Sequence, residues 1–195
     1  ADAALVVAPY YNRPSQDGLL AHFSYLAENS PLPIVLYNVP GRTACDMLPE
    51  TALRLAEVDN IIGIKEATGD LDRARAIINS APSHFAVYSG DDETAVELIL
   101  LGGKGDISVT ANVAPAEVAR MNTLALEGRA EEARALNQQL MSLHQSMFVE
   151  ANPIPVKWAL NQMGKIPSGI RLPLTVLSEG KQDAVRQALA NANLV

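Results

Sequence analysis

Residues 61–67, Ile61-Ile62-Gly63-Ile64-Lys65-Glu66-Ala67, decide the architecture of this chain. The run is short, rich in β-branched side chains and shows no polar alternation over its first four positions, so it reads as a strand with both faces away from water. Comparable runs begin near Leu5 (LVVAPYY), Ile34 (IVLYNV), Phe85 (FAVYSG) and Asp106 (DISVTAN), and successive starts lie 29, 27, 24 and 21 residues apart. Such an interval holds a strand, a loop, a three-turn helix and a return loop, the repeat of a parallel sheet. The intervening segments carry helical spacing: Leu19, Leu20, Phe23 and Leu26; Leu53 and Ala56, with Leu55 alongside, behind Pro49 at a first turn; Leu71, Ala74, Ile77 and Ile78; and Val96, Leu98 and Ile99 before Gly102-Gly103. Helices over a buried parallel sheet mean a (β/α) barrel or a doubly wound sheet. A barrel has eight units in about 250 residues, and only five are legible here.

Beyond Glu127 the strand signal stops. Residues 130–149 form a long helical pattern with Ala133, Leu136, Leu140, Leu143 and Met147 on one face. Helical patterns follow over 154–163, with the only tryptophan, Trp158, and over 179–193. The expected organisation is therefore a partial (β/α) barrel of five βα units over 1–128 and a helical region over 129–195.

Composition narrows the function classes. The chain has 195 residues, 48% of them hydrophobic and 19% charged, with a net charge of −7. That balance suits a globular core and opposes nucleic-acid binding, which needs a basic face. No apolar run approaches the ~18 residues of a membrane helix. One cysteine, Cys45, excludes a disulfide scaffold and suits a reducing cytoplasm.

In parallel α/β folds the reacting groups gather at the C-terminal ends of the strands. Those ends hold Tyr10-Tyr11-Asn12, Tyr37-Asn38-Val39-Pro40-Gly41-Arg42-Thr43, Lys65-Glu66-Ala67-Thr68-Gly69, Ser89-Gly90-Asp91-Asp92 and Ser108-Val109-Thr110-Ala111-Asn112. Lys65 is the sharpest of these. Desolvation lowers a lysine pKa, and a neutral amine is the nucleophile that forms a Schiff base with a carbonyl. The plainer reading is a structural lysine paired with Glu66 or Asp91. Tyr37 can pass a proton, and Arg42 can grip a carboxylate in a bidentate fork. Singly, each has a structural explanation; three such groups at neighbouring strand ends favour a site. The histidines His22, His84 and His144 have no partners at ligand spacing, so no metal is expected. Gly102-Gly103-Lys104-Gly105 precedes a strand and reads as a helix stop, not a phosphate loop. Ser89 and Ser108 lack the context of a nucleophile elbow, and Cys45 reads as a small buried residue.

Taken in order, the segments Ala8-Pro9-Tyr10-Tyr11-Asn12-Arg13-Pro14, Tyr37 to Thr43, Gly63-Ile64-Lys65-Glu66-Ala67-Thr68-Gly69, Ser89-Gly90-Asp91-Asp92 and Asn152-Pro153-Ile154-Pro155-Val156-Lys157 resemble the 4-hydroxy-tetrahydrodipicolinate synthases. These are pyruvate-dependent class I aldolases of the N-acetylneuraminate lyase superfamily, and the resemblance runs over essentially the whole chain. It implies a (β/α)₈ barrel with a C-terminal helical region. It implies that Lys65 captures pyruvate as a Schiff base and that the enamine attacks L-aspartate 4-semialdehyde. It further implies that Tyr37 relays protons, that Tyr11 is the relay tyrosine reaching into a neighbouring subunit, and that Arg42 holds the aldehyde's carboxylate. Gly90 and Ile107 would line the pyruvate pocket, and Tyr10 would belong to a lysine feedback site at a dimer interface. No separate cofactor is implied. The partners implied are pyruvate, aspartate semialdehyde, the inhibitor lysine and further copies in a homotetramer, in the cytoplasm. A related aldolase acting on another aldehyde is the neighbouring alternative.

The resemblance begins at the family's fourth strand. The expectation is a chain that opens within a barrel, lacks the threonine-bearing segment of the first three strands, and presents an unpaired edge at Leu5 to Ala8. By itself such a piece is expected to show little activity.

Overall fold

The first four apolar runs form strands in the computed structural model, which describes residues 1–195, and the fifth contributes only its first residue to one. The strands are β1 (Ala4–Val7), β2 (Ile34–Asn38), β3 (Ile61–Glu66), β4 (Ala86–Ser89) and β5 (Gly105–Asp106). All neighbours are parallel and the order is β1-β2-β3-β4-β5. Between them run α1 (Gln16–Asn29), the single turn α2 (Pro40–Thr43), α3 (Pro49–Ala56), α4 (Leu71–Ser80) and α5 (Ala95–Leu100). This order separates the two candidate architectures. Right-handed crossovers that always step the same way put every helix on one face, whereas a doubly wound sheet reverses direction and covers both. The unit Ala1–Ile107 is thus an arc of a (β/α) barrel.

One core holds this arc together. Ile34 and Leu36 of β2, Ile61 and Ile64 of β3 and Val87 of β4 pack against Leu19 and Phe23 of α1, Leu55 of α3, Ile77 of α4 and Leu98 of α5. The opposite face differs from the sequence reading, which expected both faces buried. Leu5, Ile62 and Val7 are 45%, 38% and 36% exposed, because the helices of this unit all lie on one side and five open strands do not close over the other. Ile62 also sits in a bulge, since Ile34 pairs with Ile61 and Val35 with Gly63. At Gly63 a Cβ would stand 2.4 Å from the carbonyl oxygen of Ala86, so only glycine permits this approach of β3 to β4.

Smaller differences have local causes. The buried face of α3 includes the expected Leu55 and Ala56 together with Ala52, while the expected Leu53 is only partly buried against the core. The fifth run leaves the sheet after Asp106, and residues 110–112 make a 3₁₀ turn instead of extending the strand.

The second unit, Ser108–Val195, contains that turn and four helices: α6 (Pro115–Leu126), α7 (Ala130–Ser146), α8 (Ile154–Gln162) and α9 (Glu179–Asn191). The sequence reading divided the chain at 128/129 by element type, but by packing α6 belongs with α7 and lies in the second unit. Val118, Met121, Leu140, Leu143, Trp158, Val185 and Leu189 form its interior. A buried His144 bonds through Nδ1 to Thr110 Oγ1 at 2.8 Å, a structural role that answers why this histidine is interior. Proline opens α6 and α8, where its missing N–H costs nothing. No helix of the chain is long and apolar enough to cross a membrane.

Candidate active site

Two rows of side chains cross the C-terminal end of the sheet. The register aligns Tyr37, Lys65, Tyr88 and Gly105 in one row and Asn38, Glu66, Ser89 and Asp106 in the next. Side chains alternate along a strand, so Asn38 and Glu66 share the helix-covered side with Leu36 and Ile64, while Tyr37 and Lys65 face the other way.

The lysine is buried, at 9% exposure. Its Nζ lies over the Tyr37 ring, 4.4 Å from the centroid. Burial lowers its pKa, the Asp106 and Asp92 carboxylates act to raise it, and the Arg42 guanidinium lowers it again. The net direction is down, toward the free amine. Tyr37 is held above the ordinary phenol value by burial, with Arg42 working against that. Arg42 itself is exposed, in the turn α2 that begins immediately beyond β2. Gly90 stands against the lysine stem: a Cβ there would meet Lys65 Cε at 2.7 Å and Ala67 Cβ at 2.6 Å. The absence of a side chain at Gly90 is what lets the lysine lie along the sheet.

Neither carboxylate suggested as a structural partner for Lys65 is engaged with it. Glu66 accepts from Asn38 Nδ2 at 3.2 Å and from the Thr68 backbone N–H at 2.9 Å. Asp91 accepts from the Thr94 hydroxyl at 2.7 Å and its N–H at 3.2 Å. The acids that act on the lysine are two the sequence reading did not single out. Asp106 has both carboxyl oxygens buried; burial first, then neighbouring Asp92, pushes its pKa up to about 8, against the attraction of Lys65. A lone acid heading an apolar run was the only sequence signal for it.

The remaining candidates stand apart from this cluster in character. Tyr10 and Tyr11 follow β1 and are 65% and 93% exposed. Ile107 follows β5, is 38% exposed, and donates its N–H to the Ser89 carbonyl at 2.9 Å. Cys45 is buried, and burial raises its thiol pKa, opposite to what a nucleophile needs. The side chains form no group of three or more His, Cys, Asp or Glu suited to a metal ion. Chemically, the cluster offers a desolvated amine, a phenol beside it, a guanidinium at the rim and a buried acid whose pKa is raised. These groups suit carbonyl capture and proton transfer next to a carboxylate-bearing ligand.

Comparison with known proteins identifies the relatives of the chain. The model of the dihydrodipicolinate synthetase family matches residues 1–192. The 4-hydroxy-tetrahydrodipicolinate synthase of Cellvibrio japonicus is 65% identical over 194 residues, covering 100% of this chain and 67% of that protein. Among solved structures, the chloride-inhibited dihydrodipicolinate synthase of Acinetobacter baumannii, complexed with pyruvate, matches with a TM-score of 0.98 and 53% identity, over 100% of this chain and 67% of that one. The enzyme of Cyanidioschyzon merolae with lysine bound matches with a TM-score of 0.94 and 41% identity, over 100% and 66%. The chain thus spans about two thirds of the length of these relatives.

Proposed function

Because this chain belongs to the dihydrodipicolinate synthetase family, we propose that Lys65 is the Schiff-base nucleophile of a 4-hydroxy-tetrahydrodipicolinate synthase, a lyase of lysine and diaminopimelate biosynthesis. The observation that carries the assignment is the buried lysine, with its ammonium over Tyr37 and its pKa lowered.

In this reading the neutral Lys65 amine adds to the pyruvate carbonyl and water leaves, giving a protonated imine. Loss of a methyl proton makes the enamine, whose carbon attacks the aldehyde of L-aspartate 4-semialdehyde. The new alkoxide takes a proton, and the substrate's amino group attacks the imine carbon. Ring closure releases Lys65 and gives 4-hydroxy-tetrahydrodipicolinate. Tyr37, adjacent to Nζ, is the group placed to carry these protons. Arg42 holds the aldehyde's carboxylate. Gly90 leaves room beside the lysine and Ile107 contributes to the pyruvate pocket. The protonated imine formed on Lys65 is the electron sink, so no separate cofactor enters.

The relative complexed with pyruvate supports the first substrate, and the one with lysine bound supports feedback control. Tyr11 then serves as the relay tyrosine for a neighbouring subunit and Tyr10 as part of the lysine site, in a homotetramer built as a dimer of dimers. Their exposure in the single chain suits an interface. The lone buried thiol of Cys45 suits the cytoplasm.

A substrate panel tests the proposal. The full-length protein should consume pyruvate with aspartate semialdehyde at least about a hundredfold more efficiently than with aldehydes lacking the carboxylate. Equal use of neutral aldehydes would assign another aldolase activity. Sedimentation with and without lysine tests the assembly and the effector.

A further inference from the structure

The segment between β2 and α3 carries Arg42, and its far end is tied down by an unusually complete polar network. Asn38, fully buried, uses both ends of its amide. Its Oδ1 accepts from the Met47 N–H at 3.0 Å, and its Nδ2 donates to Asp46 Oδ1 at 3.0 Å and Glu66 Oε2 at 3.2 Å. From α4, Arg73 donates to Asp46 Oδ2 at 2.6 Å and to the Met47 carbonyl at 2.9 Å. From α1, Gln16 donates to the Asp46 carbonyl at 2.8 Å and accepts from the Thr51 hydroxyl at 2.6 Å. Inside the segment the Thr43 hydroxyl donates to the Cys45 carbonyl at 2.8 Å, and Ala44 turns the chain in the left-handed region.

These bonds close a ring. Asn38 binds Glu66; Glu66 holds the Thr68 N–H; Asp70 caps α4 by accepting from the N–H groups of Asp72 and Arg73 at 3.0 and 3.1 Å. Arg73 then reaches back to Asp46, and Asp46 to Asn38. Two members of the ring are sequence neighbours of the catalytic pair: Asn38 follows Tyr37 and Glu66 follows Lys65. The third arm of the ring is the loop of Arg42. The Arg73 side chain is 14% exposed and that of Asp46 36%, so the pair is partly shielded, and Arg73 grips carboxylate and backbone together. That fixes geometry in a way an open surface pair does not.

We propose that Arg73 and Asp46 are positioning residues that set where Arg42 stands relative to Lys65, and so set the selectivity for a carboxylate-bearing aldehyde. The inference rests on the proposed role of Arg42. It differs from that role in locating the control in a helix, α4, that need not touch either substrate.

The test compares aspartate semialdehyde with a neutral aldehyde of similar size in the full-length protein, reading the ratio of the two kcat/KM values. Arg73→Met should lower that ratio about tenfold through KM for aspartate semialdehyde, while the pyruvate KM and borohydride trapping on Lys65 stay within about twofold. Arg73→Lys should recover part of the ratio, since it restores one bond to Asp46 but not the two-point grip. Asp46→Asn, nearly the same shape, is the second variant and should lower the ratio in the same direction if Arg73→Met does not fold. An equal fall for both aldehydes would overturn the positioning role and leave a structural one. Arg42→Ala separates the layers. If it collapses the ratio and the Arg73 and Asp46 variants do not, the inference alone fails; if it leaves the ratio unchanged, the role of Arg42 fails and the inference with it.

Discussion

Two neighbouring rows of the same sheet meet opposite requirements. At Asn38 and Glu66, in the middle of the helix-facing row, buried polar groups are matched with partners: the amide of Asn38 is used at both ends and each Glu66 oxygen has a donor. One residue earlier on each strand, Lys65 is buried against an aromatic face, with a pKa pushed down by burial. A saturated network fixes backbone positions, because leaving any one partner unmatched costs stability. A lysine buried against a phenol ring is a poor stabiliser as the cation, and burial favours the free amine that a nucleophile needs. Asn38 and Glu66 hold the strands in place, and they keep in register the row in which the proposed nucleophile stands.

Substitutions should separate the two rows, and the largest effect belongs to the lysine. Lys65→Ala should reduce turnover by on the order of 10³ or more with the melting temperature unchanged or raised, since a desolvated charge is removed. Equal loss of stability would mean that Lys65 is structural. Asn38→Leu should do the reverse. Stranding Glu66, Asp46 and the Met47 N–H should cost about 3 kcal/mol in denaturant unfolding, while the folded fraction still traps pyruvate. Tyr37→Phe keeps the ring over Nζ and removes the hydroxyl, so turnover should fall roughly a hundredfold with stability little changed. Gly90→Ala places a methyl group against Lys65 Cε and Ala67 Cβ. It should lower the rate of adduct formation about tenfold at a stability cost of roughly 1–2 kcal/mol.

The effect of Asp106 on turnover should be the smallest, and its effect on stability has a definite sign. A carboxyl whose folded pKa is raised from 3.8 to about 8 favours the folded state while protonated. Its contribution is complete below about pH 4, declines as pH rises and is gone above about pH 8. Asp106→Asn removes this dependence, so the melting temperature of the variant relative to the parent should increase steadily from pH 4 to pH 8. Because Asp106 acts to raise the lysine pKa, the variant should also form the pyruvate adduct at a lower pH. A flat difference across this range would remove Asp106 from the account.

Much of this was legible in the sequence. Spaced apolar runs and glycine stops located all five strands, and Lys65 stood out because a cation ends a buried run. Strand order was not legible: apolar runs look the same in a barrel and a doubly wound sheet, and only the parallel pairing of successive neighbours distinguishes them. Nor were the bulge at Ile62 and the early end of β5 legible, since both depend on what the adjacent strand allows. Asn38 and Arg73 escaped notice because their partners lie 8 to 28 and 26 to 27 residues away. A polar residue reads as loop or surface until the groups that satisfy it are brought alongside.

The central claim is that the buried lysine is the nucleophile. Treating the full-length protein with pyruvate and borohydride, then mapping the modified peptide by mass spectrometry, tests it most directly. The expected result is a single three-carbon adduct on Lys65, absent without pyruvate and lost in Lys65→Ala. An unmodified Lys65, or an adduct carried by Lys104 or Lys157 instead, would contradict it.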